Sequence, residues 1–530
     1  MHTVRPHSRA LVSAAALITA GNLSSRLLGL VREQVIAALF GASADTSIFA
    51  TAVTVPTMVY DLLIGGAVSA ALVPVFSGLA SGDGDSDSNR ALGQTVGTVL
   101  GFAGAVLVVA SALLVLLAEP LVYALGVTSA DEFPRAAHFV RMVTPSVIPL
   151  GLSAVLTGYL YARQRFSYPA FAAGLFNLGI IVCAPILAAS SGAESLVVGV
   201  LVGSTLQLAF VYVGVTRAGL KLEFDPRSPA VRQIVRLYAP VAAGLLVSQL
   251  GVIIDRNLAW RTGEDSLAIM RFATTLVQLP LGLVATATGL AALPLMSRFA
   301  AEADGIERFK SALGQALRLC LLAIMPAFVG LAVLREPIVR LLFERQAFDA
   351  ADTAATALAF LLYSPQLPFV AVDQLLIFAF YSRKDTRTPM LVGLLGVGVY
   401  LSAGLLLIGP AGMGVYGLVL ANTIQNSIHA VILFALLTRS IGSLRGLGIG
   451  RATAASAAAS APVAIICVVG LLALSVAGGL VLTLTTLAVT LCLAAVGYLV
   501  ALRWLGVDEA RAIGSALAAR AAGALRNRAA

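Results

Sequence analysis

Arg26 and Arg32 stand in the stretch Ser24-Ser-Arg-Leu-Leu-Gly-Leu-Val-Arg-Glu33, inside an otherwise apolar run. A charge at bilayer depth costs at least about 2.5 to 3.5 kcal/mol on insertion scales, so such a side chain faces a cavity or a partner. Two guanidiniums in a cavity wall bind an anionic headgroup; the competing reading is a structural ion pair, Arg32 with Glu33 or with an acid on another helix. Six residues at about 100° each place the arginines about 120° apart, so a straight helix does not aim both squarely inward, and Gly29 between them is a candidate hinge. Asp255 and Arg256 end a later apolar run at a position that roughly mirrors Arg32 and Glu33. With Glu33 they are candidate gate or ion-pair residues. Arg271 is a third candidate substrate-binding cation, with Gln278 a heptad later on the same face; snorkelling to the interface is its competing role. Asp61, Arg141 and Asp373 are isolated charges near or within apolar runs, and a structural partner is expected for each.

Residues for bond-making chemistry are scarce. There is no P-loop, HExxH or GxSxG, and His2, His7, His138 and His429 are scattered, so neither catalytic residues nor a metal site are expected. Cys183, Cys320, Cys467 and Cys492 lie far apart inside apolar runs and read as small core hydrophobes. The glycine-rich stretch from Gly393 to Gly398 lies in an apolar run, where it serves helix packing.

The elements that must position these charges are membrane helices. Hydrophobic residues make up 59% of the 530 positions, charged residues 12%, and the mean hydropathy is +0.94. A soluble domain carries about twice that charged fraction, and no polar block here is long enough to be one. A bilayer core about 30 Å thick needs about 20 apolar residues per helix. Fourteen segments qualify, near 11–38, 48–79, 92–117, 137–160, 168–188, 195–215, 238–258, 267–296, 312–333, 355–380, 389–408, 414–437, 452–473 and 479–502. The long first, second and eighth are expected to bend at Gly29, Pro56 and Pro280. The N-terminal run continues into Val31 without a convincing cleavage site and reads as the first span.

Orientation follows from Lys and Arg in the loops: an internal N-terminus puts most of the 35 basic residues on the cytoplasmic side, so both termini are expected there. The net charge of +9 then reflects topology and anionic lipid headgroups, and nucleic acid is not an expected partner. The acidic loop from Gly82 to Arg90 dissents, but acids count little in this rule.

The two halves of the chain repeat. Ala71-Leu-Val-Pro-Val-Phe-Ser77 matches Ala291-Ala-Leu-Pro-Leu-Met-Ser297, and Tyr161-Ala-Arg163 with Pro169 matches Tyr381-Ser-Arg383 with Pro389, both at an offset of 220. Six spans separate the equivalents, an even number, so the halves share orientation, as in transporters that rock two lobes about a central site. The expected class is therefore an all-α integral membrane protein of about 14 transmembrane helices: two six-helix lobes in parallel repeat, 1–220 and 221–440, then transmembrane helices 13 and 14 in 441–505, and a basic tail in 506–530.

Several of these motifs resemble the MurJ (MviN) family of lipid II flippases, in the superfamily of multidrug and oligosaccharidyl-lipid exporters. They are Ser25 to Glu33 leading to Ile36-Ala-Ala-Leu-Phe-Gly-Ala42, Gly65 to Ser77, Asp255-Arg-Asn-Leu-Ala259, Leu279-Pro-Leu-Gly-Leu283, Leu342-Phe-Glu-Arg-Gln-Ala-Phe348 and Phe378 to Pro389, the last the most specific. The resemblance implies movement of undecaprenyl-pyrophosphate-linked disaccharide-pentapeptide to the outer leaflet of the bacterial inner membrane. It implies a cationic cavity in which Arg26 and Arg32 match two arginines of the family motif, and a lipid-tail groove lined by spans 13 and 14. The substrate is then lipid II, with cell-wall synthesis proteins as candidate partners. No cofactor is expected; coupling would be to the membrane potential or a monovalent cation, with Asp385 a weak candidate for an ion site. This chain departs from the pattern at Tyr60 and Asp61, where many members carry an arginine pair, at Ser47, where an acid is usual, and at Thr275, where an arginine is expected one turn after Arg271. The cavity is thus less cationic than the pattern, which leaves the identity of the lipid-linked substrate open; an exporter of another lipid-linked glycan or of small molecules is the alternative.

Overall fold

A computed structural model describes residues 6–63, 68, 71–80, 86–218, 225, 229–476, 479–507 and 509. Among the described residues the chain is helical throughout, with one isolated antiparallel bridge, Arg345 to Phe348. In order come α1 (Pro6–Phe40), α2 (Ala44–Asp61), α3 (Val73–Ala80), α4 (Ser86–Leu116), α5 (Ala118–Ala124), α6 (Glu132–Val143), α7 (Val147–Ala162), α8 (Ser167–Ser191), α9 (Glu194–Thr216) and α10 (Pro229–Trp260). They are followed by α11 (Ser266–Ala301), α12 (Ile306–Val333), α13 (Arg335–Phe343), α14 (Ala350–Tyr363), α15 (Gln366–Ser382), α16 (Arg387–Ile408), α17 (Val415–Ile441), α18 (Ile449–Val476) and α19 (Leu480–Trp504).

Every apolar segment expected to span coincides with one of these helices or with a pair of them. Among the described residues ten spans are long and apolar enough to cross a membrane, and α14 with α15, bent by 49° at a short break, makes an eleventh. The expected fourteen exceeds this count; α1, α2 and α10, which carry Arg26, Arg32, Glu33, Asp61, Asp255 and Arg256, are the segments outside it. Gly29, Pro56 and Pro280, the expected bends, lie inside α1, α2 and α11, each a single helix. The break comes at Ser364 and Pro365, where proline disfavours the helical region for the residue before it.

By contacts the chain divides into two units, Met1–Phe272 with Phe343–Asp352, and Ala273–Leu342 with Thr353–Ala530. The first ends after Phe272 because the last turns of α10 and the first of α11 pack on α1 and α2. The anticipated junction at 220–221 lies outside the described residues, as does 510–530 of the basic tail. In the first unit, Phe76, Tyr159, Leu160 and Val211 form a core among α3, α4, α7 and α9. Helices α8 and α9 cross so closely that a methyl on Gly179 would come within 2.4 Å of the Gly203 backbone. In the second unit α18 packs on α12 and α19, around Ala459, Val463, Cys467 and Tyr498. Three cysteines are buried or half-buried, but Cys492 is exposed on α19 and is not a core residue.

Local geometry recurs at the offset of 220. Helix α7 is capped by Arg163 with Gln164 left-handed at φ +56°, and α15 by Arg383 with Lys384 at φ +62°. Arg165 N donates to Leu160 O at 2.8 Å and Asp385 N to Phe380 O at 3.0 Å, closing both helix ends alike.

The second copy adds a cap of its own. Asp385 Oδ1 accepts from Thr388 N at 3.0 Å and Arg387 N at 3.1 Å, and Oδ2 accepts from Thr388 Oγ1 at 2.7 Å. These bonds, led by those from Thr388, hold the carboxyl below its usual range and commit it to opening α16. Asp385→Ala is expected to cost about 1 kcal/mol. A depressed carboxyl stabilises the fold above its unfolded value and loses that contribution as pH falls through the lower folded value. Melting curves should therefore show a constant gap between variant and wild type from about pH 8 to 5 that narrows in acid below about pH 4.

Candidate functional site

Helix α1 carries Arg26, half-buried, and Arg32 and Glu33 near its second end. The structure brings Arg32, Glu33 and Arg271 into one cluster, all within the first unit. Glu33 is 1% exposed, against 23% for Arg32 and 19% for Arg271. Arg271 grips the carboxylate with two prongs, Nε to Oε2 at 2.7 Å and Nη2 to Oε1 at 2.8 Å. Arg32 donates to Oε1 through Nε at 3.0 Å and through Nη2 at 2.5 Å, and Nη1 reaches Asn177 Oδ1 on α8 at 2.8 Å. Arg271 also lies over the Phe49 ring, 5.4 Å from its centroid. Two guanidiniums share one buried carboxylate, so the cluster carries one net positive charge. An arriving phosphate oxygen can replace a carboxylate oxygen in either fork without a change of donor geometry.

Asn177 was not anticipated. It is 5% exposed, and its Nδ2 donates to Ser25 O at 3.1 Å, fixing α8 against α1 beside Gly29. Its signal was a lone amide within an apolar run. Gly29 lies in regular helix and faces this amide; a methyl there would sit 3.8 Å from Asn177 Nδ2.

A second set of contacts joins α2 to α10 and α11. Arg256 pairs with the adjacent Asp255 at 3.0 Å and donates from Nε to Thr54 Oγ1 at 3.2 Å. Trp260 Nε1 donates to Thr51 Oγ1 at 2.8 Å, and Ala268 N, in the first turn of α11, donates to Ser47 Oγ at 3.2 Å. Ser47 thus supplies an acceptor that a helix start lacks. Where α1 turns into α2, Gly41 is left-handed at φ +62°; beside it Ala347 N donates to Ala38 O at 3.1 Å and Ala42 N to Asp352 Oδ2 at 3.0 Å. Phe272, Phe343 and Phe348 stack with centroids 5.2 to 5.8 Å apart over this corner. At the opposite flank Asn257 Nδ2 donates to Ala124 O at 3.1 Å. These contacts tie α1 and α2 to α10, to the start of α11 and to 343–352, all within the first unit.

The other isolated charges separate. Arg141 reaches Glu119 Oε1 at 2.6 Å, and Asp373 pairs with His429 Nδ1 at 2.7 Å in the second unit. Asp61 is exposed at the end of α2, and Tyr60 OH accepts from Gln207 Nε2 at 3.3 Å. Thr275 follows Arg271 by one turn of α11.

In the second unit α11, α12, α13, α18 and α19 enclose an open groove of about 570 Å³. Leu283, Pro326, Leu331, Val463 and Leu499 give it an apolar lining, and the hydroxyl of Tyr498 is occupied by Ser456 Oγ and Leu322 O, each at 2.6 Å. The helices that build it are braced at one edge by Arg318, which bonds Leu447 O and pairs with Glu509 at 2.7 Å; burial raises the Glu509 carboxyl, but a backbone hydrogen bond at Glu509 and then Arg318 bring it below its usual value.

A multi-span helical bundle with a buried cationic cluster and an apolar side groove is the architecture of a polytopic membrane protein. A solved structure described as "Lipid II flippase MurJ, inward closed conformation" matches with a TM-score of 0.75 over 92% of this chain and 98% of that one, at 21% identity. An inward-facing multidrug resistance MATE family transporter matches with a TM-score of 0.67 over 81% of this chain and 99% of that one, at 14% identity. The sequence narrows the class. The profile of the family described as Lipid II flippase MurJ matches residues 36–499. The "Probable lipid II flippase MurJ" of Rhizobium meliloti is 30% identical over 81% of this chain and 80% of its own length, and the "Lipid II flippase MurJ" of Burkholderia cenocepacia 29% identical over 80% and 83%. The chain belongs to the MurJ family of lipid II flippases.

Proposed function

We propose that this protein carries lipid II across the bacterial inner membrane, from the inner to the outer leaflet, by alternating access. The observation that carries the reading is the Arg32–Glu33–Arg271 cluster in a chain of this family: a preformed cationic fork, held by one carboxylate, suited to the pyrophosphate. Arg26, one and two-thirds turns earlier on α1, extends the cationic wall. The groove beside α18 and α19 takes the polyprenyl tail, which stays in the membrane while the headgroup crosses. Asp255 and Arg256, with Glu33, are gate residues at the outer end, a reading supported by their contacts with α2 and by the distribution of Lys and Arg, which favours both termini in the cytoplasm. Gly29, Pro56 and Pro280 are the hinges of the lobes 1–220 and 221–440. Coupling is to the membrane potential or to a monovalent cation, and cell-wall synthesis proteins are partners.

Arg26→Ala and Arg32→Ala are each expected to abolish complementation of a flippase-depleted strain while the protein accumulates at the wild-type level. Normal growth of both variants would sink the cavity assignment. Depletion of the protein should make lipid II accumulate on the inner leaflet. Accumulation of a different lipid-linked glycan instead would reassign the substrate, in line with Tyr60, Asp61 and Thr275 standing where family members carry arginine.

A further inference from the structure

We propose that Asp373 and His429 form a proton-binding site in the second unit, and that its occupancy sets the lock on the broken span α14–α15. This rests on the transport reading only for what the proton does, not for the site.

The pair lies within membrane-spanning helices, Asp373 on α15 and His429 on α17, with Nδ1 and Oδ1 2.7 Å apart and side chains 16% and 13% exposed. An ionisable pair at this depth is expensive to keep and marks ion or proton pathways. A structural ion pair would account for the distance alone. What it does not account for is the company His429 keeps. Asn422, Asn426 and His429 follow one another at helical spacing on α17 and make one polar stripe, with Thr423 beside it. The stripe meets the break in the neighbouring span. Thr423 Oγ1 donates to Leu362 O at 2.7 Å, a carbonyl just before the break, and Asn426 Nδ2 donates to Gln366 Oε1 at 2.5 Å, just after it. Asn426 is oriented in turn by Asn422 Oδ1 at 3.1 Å. His429 to Asp373 is the last rung of this ladder, two turns past the break. The 49° bend is therefore fastened to α17 by a row of hydrogen bonds whose one member with a titratable donor and acceptor is this pair.

On the other side of the ring, helix α16 presents Gly393 and Gly396, whose added methyls would lie 4.0 Å from His429 Nε2 and 3.7 Å from Cδ2. Those are ordinary contact distances, so the glycines border the imidazole, together with neutral Gln425, whose Nε2 would lie 3.5 Å from a methyl on Gly396. The remaining charged groups of the packed helices sit toward their ends: Arg387 opens α16, Arg439 closes α17, and Glu307, Arg308, Lys310 and Arg318 occupy the first half of α12. On α15 the neighbour is neutral Gln374, bonded to Thr286 Oγ1 at 3.5 Å, and on α12 Cys320 Sγ faces Ala371 O. The tyrosines Tyr381, Tyr400 and Tyr416 lie a turn or more away along their helices.

The step is a simple proton uptake. With imidazole neutral, Nδ1–H donates to the Asp373 carboxylate and the pair carries one negative charge. One proton arriving on Nε2 makes imidazolium and carboxylate, with no net charge and a stronger bond between α15 and α17. Histidine is the side-chain type suited to taking up and releasing a proton under cellular conditions.

Two measurements on the full chain in liposomes test this. Infrared difference spectra of isotope-labelled histidine, taken from pH 5 to 9 without substrate, should contain one imidazole-to-imidazolium step that His429→Gln removes and Asp373→Asn shifts by at least one pH unit; His138, outside the pair, provides the unchanged control. Spectra in which both variants titrate like wild type would overturn the site. Flipping of a fluorescent lipid II analogue should change by at least about tenfold between pH 5.5 and 8 in wild type and be flat in His429→Gln. A variant slowed at every pH with the wild-type profile intact would make the pair structural and overturn the coupling. Failure of wild type to move the analogue at any pH would count against the transport reading, and the spectra would still decide the site.

Discussion

Glu33→Ala is expected to destabilise the protein by about 3 to 5 kcal/mol and to abolish flipping, because it leaves Arg32 and Arg271 facing each other with no carboxylate between them. The size follows from burial: at 1% exposure the carboxylate has no water to be replaced by, and it accepts four charge-assisted bonds from the two arginines. Glu33→Gln keeps the shape and an acceptor but removes the charge, so it should fall between the two. The informative variant is the triple replacement Arg32→Met, Glu33→Leu, Arg271→Met. A buried ionic cluster exchanged as a whole for apolar side chains of similar volume is often neutral, so the triple variant should melt within about 1 kcal/mol of wild type and still fail to flip lipid II. Thermal unfolding in detergent and a reconstituted flipping assay read the two quantities separately. If the triple variant transports, the cluster is a structural staple and the headgroup binds elsewhere.

Reading charges from sequence succeeded where a charge had to be explained and failed where its partner came from far along the chain. Arg26, Arg32, Glu33 and Arg271 were legible because an apolar run makes each of them conspicuous. That Glu33 answers Arg271, 238 residues away, was not, since nothing local distinguishes it from the adjacent Arg32. The same limit hid Asn177 and the row of Ser47, Thr51 and Thr54, neutral side chains whose role exists only once α2, α10 and α11 meet. The helices were legible because membrane insertion imposes length and hydropathy on each segment separately. The break between α14 and α15 was not: proline inside a membrane helix is compatible with a helix that runs on, as at Pro280 in α11, and with a break, as at Pro365, where Thr423 takes the Leu362 carbonyl. The 220-residue repeat reappears in the caps at Arg163 and Arg383, where local sequence alone dictates geometry. The compact units do not follow it: the start of α11 and 343–352 group with the first half, which cuts across the repeat.

Gly41→Ala should abolish transport while leaving the chain folded, by loosening the corner where α1, α2 and 343–352 meet, which the proposed gate must close. Alanine at φ +62° costs about 1 to 2 kcal/mol, and its methyl would come within 2.5 Å of Ala347 O, a backbone atom that cannot rotate away. The cheapest relief moves the segment around Ala347 off the corner, which breaks the bonds from Ala347 N to Ala38 O and from Ala42 N to Asp352 and unstacks Phe348 from Phe272. Gly126→Ala attacks the other flank alike, at φ +95° and 2.5 Å from Asn257 Cα. A loss of 2 to 3 kcal/mol from one of two alternating states lowers its population relative to the other by about 30- to 150-fold, enough to stall the cycle without touching the core. A cysteine at buried Ala50 reports the change: its reaction with a membrane-impermeant maleimide applied to whole cells should be at least tenfold faster in either glycine variant. Gly78→Ala, where a methyl meets nothing within 4 Å, should label and transport as wild type. Labelling as slow as wild type together with a lowered melting temperature would mean that the strain is absorbed by the fold itself, and that the corner is a fixed part of the structure and not a gate.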